Sequence, residues 1–122
     1  MIFDTRYFWV LFTEKDPELI RKLKSIYEKS SKRIVSVITI YEMYKLTLQF
    51  EGREVANVRT NSIKKDFKVI EINATIAEEG ARIAIRSKMP MTDSLIIGTA
   101  RMLGEVCVTD DPHFDQIKRV WI

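Results

Sequence analysis

The chain carries one cysteine and one histidine in 122 residues, and these two scarcities exclude a good deal of chemistry. A lone Cys107 inside an apolar run can form neither an intramolecular disulfide nor a cysteine-based zinc site, so it reads as a core hydrophobe. With no cysteine set and no histidine pair, any metal site is expected to be built from oxygen. Long apolar runs are missing as well. The longest, YFWVLF at residues 7 to 12, falls far short of the roughly 18 to 20 residues that cross a bilayer, so no membrane span is expected. There is no Pro/Gly/Ser linker, internal repeat or low-complexity tract to mark a boundary. A chain of this length buries one core and not two, so one domain over residues 1 to 122 is expected. Asp4 and Arg6 stand where a secretory signal would need its basic start and apolar centre, which points to a cytoplasmic protein.

Hydrophobic residues make up 46% of the chain and charged residues 30%, the balance of a soluble globular domain. The net charge of +3 is modest, but it is unevenly spread. Residues 21 to 70 hold twelve Lys and Arg against five acids, and the remainder holds eight bases against twelve acids. A basic middle suits a phosphate-rich partner, although solvated helix faces would give the same composition.

Short apolar runs alternate with longer helical patterns. MIF at the start is a strand ending at Asp4. Asp16 and Pro17 open a helix to about Lys29 as cap and first helical residue. RIVSV at 33 to 37 is apolar on both faces, as a buried parallel strand is. A helix follows from Thr39 to near Gly52, then a more polar helix over 54 to 65. FKVIEI at 67 to 72 is the third strand. Small and apolar residues at helical spacing over 74 to 87 predict a helix packed tightly on a sheet. A last helix starts near Thr92 and ends at Gly104, EVCVT is the fourth strand, and VWI at the C-terminus is a candidate fifth. This alternation specifies a three-layer α/β/α sandwich with a mostly parallel sheet of four to five strands.

In such sheets ligands bind at the carboxyl ends of the strands. Asp4 lies at that end of strand one, and Asp110 and Asp111 at that end of strand four. Glu42 falls in the first turn of the helix after strand two, and Asp93 in the first turn of the helix before strand four. Four separate stretches therefore aim a carboxylate at one edge. Each residue also has an ordinary structural explanation. Thr39 to Glu42 spells a capping box, Thr92 or Asp93 could be an N-cap, and Asp111 before Pro112 could start a turn. Asp4 has the weakest such explanation, since a strand ending in Asp needs no cap.

A cluster of carboxylates without a cation repels itself, and some of its members would have to protonate. A divalent metal removes the conflict, and an all-oxygen donor set favours Mg²⁺ or Mn²⁺ over zinc. Such ions hold phosphate oxygens and lower the pKa of bound water. An acidic pit in a basic rim is the electrostatics of a nuclease.

MIFDT, SVITIYE, MPMTDSLIIGTA and VCVTDDPHF, in that order, resemble the PIN-domain family, most closely its small stand-alone members, the VapC-type toxins of toxin–antitoxin operons. The resemblance covers essentially the whole chain. It implies a Mg²⁺- or Mn²⁺-dependent endoribonuclease acting on RNA, commonly a homodimer, held inactive by an antitoxin whose tail crosses the acidic site. By resemblance Asp4, Glu42 and Asp93 match the first three acidic positions and would ligate metal. Thr109 and Asp111 match the fourth motif, so Asp111 would ligate a second ion or orient water while Thr109 supports the ligands. Thr39 matches a favoured hydroxyl position.

Arg6 departs from the small polar residue common there and, with Lys45 one turn after Glu42, is a candidate for binding substrate phosphate. Neighbours on an extended chain point to opposite sides, so only one of the pair can easily face the cluster; the resemblance to the family motif implies that it is Asp111, with Asp110 at the rim. His113 could serve as a general acid, but a lone histidine after a turn is more often structural. Tyr7, Phe8, Trp9, Phe12, Tyr41 and Tyr44 exceed what one small core needs, and the surplus could line a groove or a dimer surface. Two alternatives stand: a PIN-like module that binds RNA or a partner without cutting, and a haloacid dehalogenase-type phosphatase. The second would need an acid two residues after Asp4, where this chain has Arg6.

Overall fold

A computed structural model describes residues 1–117 and 119–121 of the chain. The elements run β1 (Ile2–Phe3), α1 (Thr5–Thr13), α2 (Pro17–Lys29), β2 (Ile34–Ser36), α3 (Val37–Glu51), α4 (Arg53–Asp66), β3 (Lys68–Ile70), α5 (Ala74–Ser87), α6 (Met91–Leu103), β4 (Cys107–Val108), a 3₁₀ turn (Pro112–Gln116) and β5 (Arg119–Val120). The strands form one sheet in the order β3-β2-β1-β4-β5. Every pairing among them is parallel.

The strands are short, but successive side chains point to opposite faces, and that divides the core in two. Ile2, Ile34 and Cys107 join Ile83 of α5 and Ile96, Ile97 and Ala100 of α6 on one face. Phe3, Val35 and Val108 join Tyr7 and Phe8 of α1, Leu23 of α2, Met43 of α3 and Ile63 of α4 on the other. Two helices therefore cover one face and four the other, which is the three-layer sandwich. Strand order reverses at β1, whose neighbours are β2 on one side and β4 on the other. A crevice opens at such a switch point, at the carboxyl ends of the strands.

Three local features differ from the sequence expectation. The first is α1, a helix over the aromatic run where none is assigned. Its N-cap is Asp4, whose side chain accepts from the Thr5 N–H. Burial of Tyr7 and Phe8 supplies the stability that aromatic-rich helix propensity does not. The second is the start of α3, where Ser36 is the cap and accepts from the Ile38 N–H. Val37 therefore opens the helix instead of closing the strand. Thr39 and Glu42 form no capping box, and Glu42 sits in the second turn. The third is α5, whose small-residue stripe meets α6 as well as the sheet. A Cβ at Gly80 would lie 2.9 Å from Leu95 Cδ2, and one at Gly98 would lie 3.2 Å from the Gly80 nitrogen. Among the described residues no helix is long and apolar enough to cross a membrane.

Candidate metal centre

Asp4 is the innermost carboxylate of the crevice, only 3% exposed. One oxygen accepts from the Thr5 N–H at 2.7 Å and the other from the Thr109 hydroxyl at 2.8 Å. Even so, burial pushes its pKa up to about 7, and the nearby charges of Asp93 and Glu42 add to the rise. Thr109, fully buried at the end of β4, accepts in turn from the Asp111 N–H at 3.0 Å. A buried hydroxyl thus links strand one to the turn that carries Asp111.

Glu42 enters from α3. Its Oε1 accepts from the Thr5 hydroxyl at 2.7 Å. Thr5 Oγ1 also lies 3.2 Å from the Thr39 hydroxyl. A hydroxyl has one proton, so with Thr5 donating to Glu42 the proton of that second contact comes from Thr39. Desolvation raises the Glu42 pKa and the Asp93 charge raises it further, while the Thr5 and Thr92 hydroxyls and Lys45 pull it down. Lys45 is exposed, and its ammonium lies 5.9 Å from the Tyr41 ring centroid.

Asp93 comes from the first turn of α6, after the Met89–Pro90 break. Burial raises its pKa, and the charge of Asp111 raises it further. His113 opposes this, with Nδ1 3.3 Å from Asp93 and 3.4 Å from Asp111. Donor atoms of Asp93, Asp111 and His113 all lie within 4.8 Å of one another. Among the described residues no Lys or Arg forms an ion pair with Asp4, Glu42, Asp93 or Asp111. Oxygen donors that repel one another and have no Lys or Arg ion-pair partner among the described residues fit a divalent ion.

Asp110 faces elsewhere. It takes both nitrogens of a bidentate pair with Arg6, at 3.0 and 2.9 Å. That bonding pulls the Asp110 pKa down and the Arg6 pKa up. Arg6 is therefore occupied by Asp110 at the rim. Among the aromatics, Tyr7 and Phe8 are core, and they line a cleft of about 290 Å³ with Leu11, Phe12, Tyr27 and Phe67. Tyr41 is exposed, and the Tyr44 hydroxyl bonds Asn57.

Sequence reasoning did not single out Thr5 as a partner of Glu42, and it set His113 aside. Thr5 could have been found from its place directly after Asp4, where a cap begins a helix. His113 could have been found from its spacing, two residues beyond Asp111 across a proline.

The family model for the PIN domain matches residues 1–120. No curated relative matches the chain by sequence. The DNA-bound VapBC of Salmonella typhimurium is similar in structure, with a TM-score of 0.79 at 20% identity over 98% of this chain and 96% of that one. VapBC2 of Rickettsia felis, bound to a DNA fragment from its promoter, gives 0.78 at 14% identity over 99% and 98%. Mycobacterium tuberculosis VapC20, a Sarcin-Ricin loop cleaving toxin, gives 0.79 at 18% identity over 95% and 94%. At these identities the likeness is one of fold.

Proposed function

This chain belongs to the PIN domain family, and from that premise we propose that it is a Mg²⁺- or Mn²⁺-dependent endoribonuclease, the toxin of a VapBC-type toxin–antitoxin pair. The observation that carries the proposal is the meeting of Asp4, Glu42, Asp93 and Asp111 at the sheet's switch point without a Lys or Arg partner among the described residues. The similar fold of a Sarcin-Ricin loop cleaving toxin and of VapBC complexes supports the choice of RNA as substrate and of an antitoxin as partner. The wider assignment is a single cytoplasmic domain that pairs as a homodimer.

Asp4, Glu42, Asp93 and Asp111 would hold the ion. When bound, a divalent ion compensates their charge, binds phosphate oxygens and acidifies water. The chain's own contribution is placement. The Thr5 N–H and the Thr109 hydroxyl fix both Asp4 oxygens, leaving each a further lone pair for the crevice. The Thr5 hydroxyl holds one Glu42 oxygen, and Thr109 ties the Asp111 backbone to the same framework. Thr39 supports Thr5. Lys45 and Arg6 stand at the rim, where a substrate phosphate would approach, and Arg6 would have to exchange Asp110 for it.

The test is cleavage of RNA by the purified protein in Mn²⁺. Cleavage is expected in the wild type, with loss in Asp4→Asn and Asp93→Asn. Equal behaviour of wild type and variants would refute catalysis at this site and favour a module that binds RNA or a partner without cutting.

A further inference from the structure

The metal site was expected to be all oxygen, yet one nitrogen stands in it. His113 Nδ1 lies 3.3 Å from Asp93 Oδ2 and 3.4 Å from Asp111 Oδ1. As hydrogen bonds these contacts are long, and a single N–H cannot be aligned with both acceptors. As ligand–ligand distances the two histidine edges fit, within a group whose donor atoms all lie inside 4.8 Å, and an ion at about 2.1 Å from each would draw the Asp93 and Asp111 oxygens to within about 4.2 Å of each other. Two donors bonded at about 2.1 Å to one ion sit about 3.0 Å apart at a right angle and about 3.4 Å apart at a tetrahedral angle.

Packing does not force the ring there, because the His113 side chain is 58% exposed. The turn does the placing. Asp111 accepts from the His113 N–H at 2.9 Å, and Pro112 opens the 3₁₀ turn between them. The His113 ring is thereby carried back over the Asp111 carboxylate and onto Asp93. Arg6 is engaged by Asp110 and leaves that space to the imidazole.

We infer that His113 is a direct ligand of the divalent ion, its Nδ1 joining one oxygen each of Asp93 and Asp111. The inference rests on the metal site proposed above. Mg²⁺ takes oxygen donors and keeps its waters, whereas imidazole suits the later first-row metals best, and Mn²⁺, an oxygen-preferring ion at the start of that series, accepts it more readily than Mg²⁺ does. A nitrogen ligand therefore tilts this centre toward Mn²⁺, Co²⁺, Ni²⁺ or Zn²⁺ and away from Mg²⁺.

The chain has one histidine, so in untagged protein an imidazole nitrogen on the metal can come only from His113. Electron spin-echo modulation of the Mn²⁺-loaded protein should show ¹⁴N coupling from a bound imidazole. In His113→Ala that coupling should vanish while Mn²⁺ still binds. The ratio of Mn²⁺ to Mg²⁺ affinity, measured by calorimetry, should fall about tenfold. The ring's exposure predicts unchanged thermal unfolding of metal-free His113→Ala, and the wild-type spectrum is decisive without the variant. Bound Mn²⁺ without nitrogen coupling, or an unchanged affinity ratio, would overturn the inference alone. A wild-type protein that binds no Mn²⁺ would overturn the metal site itself, and the inference with it.

Discussion

Two regions meet at the junction of β1 and α1, and they are built on opposite terms. On one side Phe3 meets the rings of Tyr7 at 4.8 Å and Phe67 at 5.0 Å, while Phe8 meets Phe67 at 4.9 Å, all edge to face. The one polar atom among these rings, the Tyr7 hydroxyl, donates to the Leu23 carbonyl at 2.8 Å. That region is complete in itself. One residue away, Asp4 turns into a crevice where Asp4 feels the charges of Glu42 and Asp93 and Asp93 feels that of Asp111, and Asp4, Glu42 and Asp93 have pKa values raised first by burial. The aromatic face stabilises the fold, and the acidic edge draws on that stability to hold charges together until a cation arrives.

The sharpest break between the two regions should come from activity. Asp4→Asn and Asp93→Asn should each lower Mn²⁺-dependent RNA cleavage by about a thousandfold or more, roughly 4 kcal/mol of transition-state stabilisation, with unfolding midpoints at neutral pH no lower than the wild type's. Loss of folding in both variants would mean that the edge is structural. The reverse pattern is expected from the aromatic side. Phe8→Ala should cost about 3 to 5 kcal/mol in urea unfolding without changing the metal affinity of the protein that remains folded.

The pH dependence of stability separates the regions next. A carboxyl whose folded pKa lies above its unfolded value binds its proton more tightly in the native state. Its contribution is full below the unfolded value and is lost as pH rises through the folded one. For Asp4 that window runs from about 3.8 to about 7, and Glu42 and Asp93 shift in the same direction. The metal-free protein should therefore lose stability across this range, with about 2 to 4 kcal/mol of the loss belonging to Asp4. In Asp4→Asn the slope should flatten, as read by denaturant melts at pH 4, 5.5 and 7.

The smallest contrast lies within the aspartate doublet. Asp111→Asn should reduce cleavage at least tenfold, whereas Asp110→Asn should change it less than threefold and, by releasing an exposed pair with Arg6, shift stability by less than about 1 kcal/mol. Equal losses of activity would undo the separation of the two residues.

The doublet also shows what can be read from a sequence of this kind. Strict alternation along β4 placed Asp110 and Asp111 on different sides, and the structure turns Asp110 to Arg6 while Asp111 stands beside Asp93 and His113. The alternation of apolar runs was enough for the layers, because strands that bury both faces leave an unmistakable mark. Family membership leaves the haloacid dehalogenase alternative without support. What could not be read was where α1 and α3 begin, whereas the starts of α2 at Pro17 and α5 at Ala74 were legible. Residues 5 to 13 are rich in aromatics, whose intrinsic helix preference is weak. Their conformation is decided by burial against Phe67 and Leu23, far along the chain. Likewise Ser36 and Thr39 are both capping residues, Ser somewhat the better, and the structure uses Ser36. These two misplacements made Asp4 look unneeded as a cap and Glu42 look like one. Neither error displaced the carboxylates from the edge, since a shift of a residue or two at a helix start leaves them at the same end of the sheet. His113 escaped because a lone histidine says little by its type, and its one signal is its spacing from Asp111 across Pro112.

The claim beneath all of this is that the acidic edge is a binding site for a divalent cation. Thermal unfolding of the wild-type protein at pH 8, with and without millimolar Mn²⁺, tests it most directly. Saturating Mn²⁺ should raise the midpoint by about 5 to 10 °C, with a much smaller rise at pH 5, where Asp4 holds its proton, and little rise in Asp93→Asn. No shift at pH 8, or the same shift in wild type and Asp93→Asn, would contradict it.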